Sequence, residues 1–191
     1  MYWFVLFVKT GYEHDVVSEI STGWEIYDST PYVPMYEANF RRGGRVYPEK
    51  RLLFPGYVFI KSKYSGTEFY SVTRPYIIHS ENVLKLLRYG DSVNELEIGV
   101  SIGESYEMRC EEYLAFMELH NEEGCIEMSK GLIEGDQIHI VEGPLKGFES
   151  RVKKIRASKM EANIELDMMG RTCELKVGLE IMKKHPHFQR V

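Results

Sequence analysis

Hydrophobic positions near the amino terminus follow two spacings in succession. Residues 2–8 form a continuous apolar run that Lys9-Thr10-Gly11 ends, which is the pattern of a buried strand. Apolar residues then recur at helical spacing at Val16, Val17 and Ile20. The opposite face of this segment is acidic and consists of Glu13, Asp15 and Glu19. We therefore predict that the chain opens with a strand, a turn and a helix.

A second pair of strand patterns surrounds a basic turn. Residues 32–40 have strand character, and Gly43-Gly44 separates them from a run that continues through residues 50–60, which predicts a hairpin. The cations around the hairpin tip are Arg41, Arg42, Arg45, Lys50 and Arg51. They indicate either a solvated turn or a contact with phosphate. Pro55-Gly56 interrupts the run, and residues 57–60 then predict a central strand that is covered on both faces.

The rest of the N-terminal region alternates helix and strand patterns. Residues 67–72 predict a helix that ends before Pro75. Residues 83–87 predict a strand, and residues 106–120 predict an amphipathic helix. The apolar side of that helix comprises Met108, Cys110, Tyr113, Leu114 and Met117. These elements predict an α+β domain with a ferredoxin-like, mostly antiparallel sheet and flanking helices.

Short strand patterns crowd the C-terminal third of the chain. They lie at residues 138–141, 151–155, 162–168 and 172–177, and glycine-containing turns separate them. Such spacing predicts a small all-β, SH3-like barrel. We accordingly divide the chain into an N-terminal domain, a short linker, a C-terminal domain and a tail, at residues 1–124, 125–130, 131–185 and 186–191.

Charge divides the chain at nearly the same place. The formal net charge is −5, but residues 1–128 hold 12 lysines and arginines against 20 acids, whereas residues 129–191 hold 12 against 9. The main cations of the C-terminal domain are Lys146, Arg151, Lys153, Lys154, Arg156, Lys159, Arg171 and Lys176. They indicate either salt-sensitive binding to the phosphates of RNA or a solvated strand face on which lysine protects an edge.

Several classes of chemistry find no support in the residues. Cys110, Cys125 and Cys173 are odd in number and far apart, so neither a disulfide framework nor a zinc site follows. The sequence has no glycine-rich phosphate loop and no nucleophile motif, and the apolar run at residues 2–8 is too short to span a membrane. We therefore predict a monomeric cytoplasmic protein that is not an enzyme and that binds no cofactor, metal or membrane.

Two separate regions of the chain resemble the same protein family. Residues 134–138 and 143–148 resemble a KOW motif, in which an acidic turn, a strand, Gly-Pro, a glycine and an aromatic residue follow one another. Upstream, Trp3, residues 9–13 and residues 51–58 resemble the N-terminal domain of NusG. The resemblance implies an NGN domain followed by a KOW domain, and hence a transcription elongation factor.

Within this family, residues 128–131 and 177–181 resemble the specialised LoaP type. The resemblance implies an antitermination factor whose NGN domain docks on the clamp helices of RNA polymerase. The positions that match the polymerase-binding pocket are Trp3, Tyr12, Phe54 and Tyr57. By residue type alone Phe54 belongs in the core, but the resemblance favours an aromatic anchor at an interface. Thr73 and Arg74 match the region that meets non-template DNA.

One segment departs from the housekeeping members of the family. Residues 168–171 stand where those members present a phenylalanine to Rho or to a ribosomal protein, and Met169 replaces it. Together with the added cations, this change favours binding of a nascent RNA hairpin by the C-terminal domain, with Nus factors as further partners. The alternative is an adaptor that couples polymerase to the ribosome or to Rho through protein contacts alone. The alternating strands disfavour a fold-switching C-terminal domain like that of the RfaH relatives.

Overall fold

The computed structural model of the protein describes residues 1–89 and 105–182, including every side chain there except those of Arg41 and Arg42. Within these residues the chain forms three sheets and three α-helices. Two of these sheets and the helices form an N-terminal module, residues 1–89 and 105–126. The third sheet forms a C-terminal module, residues 129–182. The predicted tail, residues 186–191, lies outside the described residues.

The N-terminal module shows the predicted mixture of strands and helices. Its strands are β1 (Tyr2–Val8), β2 (Ser29–Tyr32), β3 (Met35–Arg42), β4 (Arg45–Leu52), β5 (Tyr57–Ser62), β6 (Val83–Leu86) and β7 (Cys125–Ile126). Its helices are α1 (Glu13–Gly23), α2 (Gly66–His79) and α3 (Cys110–Met117). The strands predicted at residues 2–8, 57–60 and 83–87 are thereby confirmed.

An antiparallel sheet in the order β2-β5-β1-β6 forms the centre of this module. Phe4 of β1 packs in one hydrophobic cluster with Val16 of α1 and Phe69 of α2. Val5 of β1 and Phe59 of β5 belong to a second cluster on the opposite face. Because successive side chains of a strand point to opposite faces, β1 and β5 are covered on both sides, which explains their continuous apolar runs.

Strands β3 and β4 form the predicted hairpin, and β7 pairs in parallel with β3. The turn at the tip contains Gly43 and Gly44, whose φ angles are 58° and 77°. Glycine adopts this left-handed conformation without a steric penalty, and two such residues suit a tight hairpin turn. The local prediction from Gly-Gly is therefore confirmed.

The C-terminal module consists of β8 (Ser129–Glu134), β9 (Gln137–Glu142), β10 (Val152–Arg156), β11 (Glu161–Met168) and β12 (Arg171–Ile181). They form one sheet in the order β10-β11-β12-β8-β9, in which β12 is antiparallel to β11 and parallel to β8. The four predicted strands are present, and β8 is added to them. Because β7 pairs with β3 and β8 with β12, the predicted linker, residues 125–130, has a paired strand at each end.

Two helices differ in length from the prediction. Helix α2 continues through Pro75 to His79 instead of ending before the proline. Pro75 removes one helical hydrogen bond, but Phe69 and Thr73 of this helix are fully buried, so tertiary packing outweighs the local penalty. Helix α3 covers only residues 110–117 of the predicted 106–120.

The predicted faces of α1 and α3 are wrong at four positions. Glu13, assigned to the polar face, is 2% exposed. On α3, Cys110 and Leu114 are exposed, whereas Glu112 is buried. Both buried carboxylates accept backbone hydrogen bonds, which offsets the cost of removing them from water. Amphipathic spacing does not reveal such partners.

The two modules share one hydrophobic cluster. Its members include Val5, Phe59 and Phe116 from the N-terminal module and Met168 and Met169 from the C-terminal module. Strand β12 also passes close to β3, since a Cβ at Gly178 would lie 2.4 Å from the carbonyl oxygen of Glu37. No side chain fits in that space, so the contact between the modules requires glycine at this position.

Candidate functional site

The bend between β4 and β5 is held by a buried carboxylate. The side chain of Glu13 accepts hydrogen bonds from the backbone N–H of Gly56, at 2.6 Å, and of Gly11, at 2.9 Å. Gly56 has a φ of 87°, and a Cβ there would lie 3.2 Å from Oγ1 of Thr10. The first residue of α1 thus fixes the backbone of residues 54–57, which we name the aromatic bend.

Phe54 projects from the aromatic bend into a cluster of rings. Its ring centroid lies 5.5 Å from that of Phe59, 6.0 Å from that of Phe116 and 6.4 Å from that of Tyr57. Both Phe54 and Tyr57 are half-buried. Burial raises the pKa of Tyr57, so its phenol is neutral at physiological pH. The bend therefore presents two partly accessible, uncharged rings.

The other two aromatic residues predicted for this site have different environments. Trp3 is buried, and its ring stacks on Tyr113 with centroids 4.9 Å apart and meets Tyr32 edge-on at 5.5 Å. It therefore supports the ring cluster from within. Tyr12 is 47% exposed in the turn before α1. The structure thus brings together Phe54, Tyr57 and the supporting Trp3, and leaves Tyr12 outside their cluster.

A cavity of about 410 Å³ lies between the aromatic bend and the C-terminal module. From the N-terminal module its wall includes Leu53, Phe54, Tyr57, Phe59 and Leu87. From the C-terminal module it includes Met168, Met169, Arg171, Cys173 and Leu175. The turn between β11 and β12, residues 168–171, which we name the rear turn, therefore faces the aromatic bend and restricts access to it.

The rear turn is held by a second buried carboxylate. Oε1 of Glu112 accepts hydrogen bonds from the backbone N–H of Gly170 and from the hydroxyl of Tyr89, each at 2.9 Å. The guanidinium of Arg109 lies 4.3 Å from the centroid of the Tyr89 ring. Desolvation and the hydrogen bond to Glu112 raise the pKa of Tyr89, so it remains a donor at neutral pH. Glu112 thus connects α3 to the C-terminal module.

The eight cations predicted to bind RNA occupy different environments. The exposed ones are Lys146, Lys153, Lys154, Lys159 and Lys176, and the half-buried ones are Arg151, Arg156 and Arg171. Lys153 forms an ion pair with Glu165 at 3.0 Å. Arg171 lines the cavity at the aromatic bend, whereas Lys159 and Lys176 line a separate cleft beside the β3–β4 hairpin. The structure therefore does not unite all eight in one environment.

The two residues predicted to lie near DNA differ in exposure. Thr73 is fully buried, and its hydroxyl donates a hydrogen bond to the carbonyl of Phe69 at 2.7 Å. Its side chain therefore stabilises α2 internally and has no free surface for a ligand. Arg74, the next residue, is exposed. Of this pair, Arg74 is the residue that presents a side chain to solvent.

Sequence reasoning missed both carboxylates that position the site. Glu112 accepts a hydrogen bond from the backbone N–H of Arg109, three residues earlier, at 3.3 Å, as the N3 carboxylate of a capping box does. Arginine is not an N-cap residue, however, so no capping pattern in the sequence identifies Glu112. No local signal identifies Glu13, because its partner Gly56 is 43 residues away. Short-range patterns identify helix ends, but they do not identify contacts between distant segments.

A protein-family model described as NusG, transcription termination factor, matches residues 1–98, which is more than half of the 191-residue chain. The matched range includes α1, the β3–β4 hairpin and the aromatic bend. Comparison with curated proteins gives no significant match. In residues 1–89 and 105–182, every helix is too short or too polar to cross a membrane. The same residues contain no cluster of three His, Cys, Asp or Glu side chains suited to a metal ion.

Proposed function

Because the chain belongs to the NusG family of transcription elongation and termination factors, which bind RNA polymerase, we propose that it is a specialised antitermination factor of the LoaP type. The N-terminal module is an NGN domain that docks on the clamp helices of RNA polymerase. The C-terminal module is an SH3-like KOW domain that binds a nascent RNA hairpin. Docking favours the closed clamp, and so favours elongation over pausing and termination in target operons.

The arrangement of Phe54 and Tyr57 is the observation that carries this proposal. Both rings are half-buried at the wall of a mainly apolar cavity, and Glu13 fixes the backbone between them and α1. Aromatic side chains in a pocket that loses its water on binding supply much of the affinity of protein interfaces. An apolar ridge on a polymerase helix fits such a surface.

Docking on polymerase at this surface requires the C-terminal module to move away. Met168 and Met169 are buried in the cluster that includes the rings, and Glu112 holds Gly170 of the rear turn. The apparent affinity for polymerase is therefore reduced by the fraction of molecules in the closed arrangement. Separation of the modules exposes the aromatic bend to polymerase and the rear turn to a second partner.

Exposed lysines support the RNA contact of the C-terminal module. Lys153 and Lys154 lie on β10, which is an edge strand of the sheet, and Lys146 lies in the preceding loop. Lysines so placed neutralise phosphates and give salt-dependent binding. Double-stranded RNA is recognised largely through its shape and its backbone, which suits a binding surface of lysines. Arg74 on α2 is the residue we assign to the non-template DNA strand.

A coupling adaptor that uses protein contacts without RNA is the second candidate. Lys153 is already paired with Glu165, and Arg171 faces the cavity, which leaves fewer cations for phosphates. In this alternative the released rear turn, with Met169, contacts the ribosome or Rho, because a flexible methionine adapts to different apolar surfaces.

Binding to purified core RNA polymerase tests the docking surface. We expect Phe54→Ser to weaken binding about tenfold or more, as truncation of an interface hot spot does. Tyr27→Ser is the matched control, because Tyr27 is 71% exposed and lies outside the ring cluster. Circular dichroism verifies that both variants are folded. An unchanged affinity in folded Phe54→Ser protein would place the docking surface elsewhere.

A gel shift with a hairpin RNA from the leader of a target operon tests the RNA contact. We expect Lys153→Glu/Lys154→Glu to abolish RNA retention and to leave polymerase binding intact. Arg151 is kept because its Nη1 donates to the carbonyl of Glu165 at 3.5 Å. Lys9→Glu/Lys63→Glu is the control, because it reverses the same number of charges but on the N-terminal module. Polymerase binding without RNA binding in the wild-type protein would favour the adaptor.

A further inference from the structure

The far end of the β3–β4 hairpin carries two exposed aromatic rings. Phe40 and Tyr47 are 45% and 46% exposed. The strand register places them directly opposite each other, so their side chains lie on one face with Cβ atoms about 5 Å apart. Among residues 1–89 and 105–182, neither ring packs against another aromatic ring. The hairpin therefore presents a pair of neighbouring rings to solvent.

The same face of the hairpin is anchored at its other end. Tyr36 and Ala38, which alternate with Phe40 along β3, are 5% and 1% exposed and belong to the cluster shared with the C-terminal module. The base of the hairpin is therefore fixed by packing. The ring pair lies beyond this anchored base, where the chain is exposed on both sides of the turn.

In the sequence, cations flank the ring pair within an otherwise acidic part of the chain. Residues 39–51 hold five cations, Arg41, Arg42, Arg45, Lys50 and Arg51, against one acid, Glu49, whereas residues 1–128 as a whole are strongly acidic. Lys50 and Arg51 are engaged, since Lys50 pairs with Glu123 and Arg51 with Glu49 and Glu161. Arg45 is exposed and forms no ion pair within the described residues.

The C-terminal module adds two cations beside Phe40. A cleft of about 360 Å³ is lined by Phe40 and Asn39 of the hairpin and by Lys159 and Lys176 of the C-terminal module. The one carboxylate that lines this cleft among the described residues, that of Glu161, is paired with Arg51. Both lysines are exposed, and no carboxylate in residues 1–89 and 105–182 pairs with them. Accessible ammonium groups therefore lie next to an accessible ring.

The backbone of the hairpin disfavours a β-strand as its partner. Strand β4 is an edge strand of its sheet and is open to pairing in principle. Pro48, opposite Asn39 in the register, lacks the N–H that an added strand would need. Together with the surrounding cations, this proline protects the edge from another strand. Recognition at this surface therefore uses side chains.

We propose that the far end of the β3–β4 hairpin is a binding site for single-stranded nucleic acid. Bases stack on Phe40 and Tyr47, and the flanking phosphates pair with Arg45, Lys159 and Lys176, which is the usual combination in sequence-tolerant binding of single strands. The site is distinct from the proposed polymerase surface and from Lys153 and Lys154 of β10. It uses two of the eight cations predicted to bind RNA, Lys159 and Lys176, and places them beside Phe40.

Fluorescence anisotropy of labelled single-stranded oligonucleotides of about 12 nucleotides, with the full chain, tests this site. We expect Phe40→Ala and Tyr47→Ala each to weaken binding about tenfold or more. Tyr47→Phe keeps the ring and should bind like the wild type. Val46→Ala is the matched control, because Val46 is 47% exposed and adjoins Tyr47 on the opposite face of the hairpin. Duplexes of the same sequence should bind more weakly, because their bases are already stacked.

The pairing with phosphates is tested through salt dependence. Lys159→Gln/Lys176→Gln and Arg45→Gln should each reduce the slope of log affinity against log salt, by about 0.7 for each phosphate that is no longer neutralised. In a protein that also carries Lys153→Glu/Lys154→Glu, Phe40→Ala and Tyr47→Ala should still weaken single-strand binding by the same factor. This result would separate the site from the proposed RNA-hairpin contact. Single-strand affinity equal in wild type and both ring variants would overturn the proposal. So would binding to anionic phospholipid vesicles, but not to oligonucleotides, that depends on the rings.

Discussion

Two turns of the molecule are held by the same kind of hydrogen bond in different settings. Gly56 of the aromatic bend donates its N–H to Glu13, and Gly170 of the rear turn donates its N–H to Glu112. Each carboxylate lies in the first turn of a helix, where free N–H groups and the helix dipole favour negative charge. The first hydrogen bond lies within the N-terminal module, and the second joins the two modules.

Because one hydrogen bond lies within a module and the other between modules, different motions break them. The bond to Glu13 joins α1 to the bend, two segments of the N-terminal module, so it breaks only when that module itself opens. The bond to Glu112 breaks whenever the modules separate, which is a smaller opening. The same chemistry therefore fixes the aromatic bend within one module and joins the rear turn of the other module to α3.

The largest loss of stability is expected on substitution of Glu13. Glu13→Ala removes the charged acceptor of the buried N–H of Gly56 and of the exposed N–H of Gly11, which should lower the free energy of unfolding by about 2–4 kcal/mol. Urea denaturation measures the change. Asp15→Ala, an exposed acid on the same helix, should stay within about 0.5 kcal/mol of the wild type. Equal stability of the two variants would show that Glu13 does not hold the bend.

Substitution of Glu112 is expected to lower stability less than substitution of Glu13 does, and to increase the affinity for polymerase. Glu112→Ala removes the acceptor of Gly170 and Tyr89 and should weaken the contact between the modules by about 1–3 kcal/mol. Polymerase affinity should then rise about fivefold or more, because a larger fraction of molecules exposes the aromatic bend.

Glu111→Ala is the control for this prediction, because Glu111 is the exposed neighbour on the same helix. Amide hydrogen exchange of residues 53–57 should be faster in Glu112→Ala than in the control. Faster exchange without a gain in polymerase affinity would mean that the interface between the modules opens but does not regulate docking.

A weaker test of the same interface is Tyr89→Phe. It removes one of the two hydrogen bonds to Oε1 of Glu112 and keeps the ring under Arg109. The lost hydrogen bond lies within the N-terminal module and orients the Glu112 carboxylate that Gly170 contacts. We therefore expect the association of the modules to weaken by less than about 1 kcal/mol, and polymerase affinity to rise less than in Glu112→Ala. A gain as large as that of Glu112→Ala would show that the hydroxyl of Tyr89, and not the rear turn, is the main partner.

The smallest predicted change is the loss of stability that follows protonation of His120 as the pH falls. Burial lowers the pKa of His120, whose ring lies against Phe116 of the aromatic cluster. Because the unfolded chain then binds a proton more readily than the folded one, stability is complete above about pH 6.5 and falls as the pH decreases below it. Urea midpoints measured across this range should fall less in His120→Gln than in the wild type. His139→Gln, an exposed control, should retain the wild-type slope.

Local patterns predicted much of the fold. The apolar runs at residues 2–8 and 57–60, Gly43-Gly44 and the short C-terminal strands each carry their signal within a few neighbouring residues. The end of α2 was predicted wrongly because Pro75 acts locally, whereas the burial of Phe69 and Thr73 depends on the whole module. The aromatic residues of the site were identified through a family resemblance and not from their spacing.

The sequence by itself determined the strands, the hairpin and the partition of charge, because period, turn residues and net charge are properties of adjacent positions. Only the tertiary structure decided that Glu13 and Glu112 are buried, that the rear turn faces Phe54 across a cavity, and that Lys159 and Lys176 lie beside Phe40. Each of these depends on an interaction between segments distant in the chain. Such interactions are fixed by packing of the modules, which no local pattern specifies.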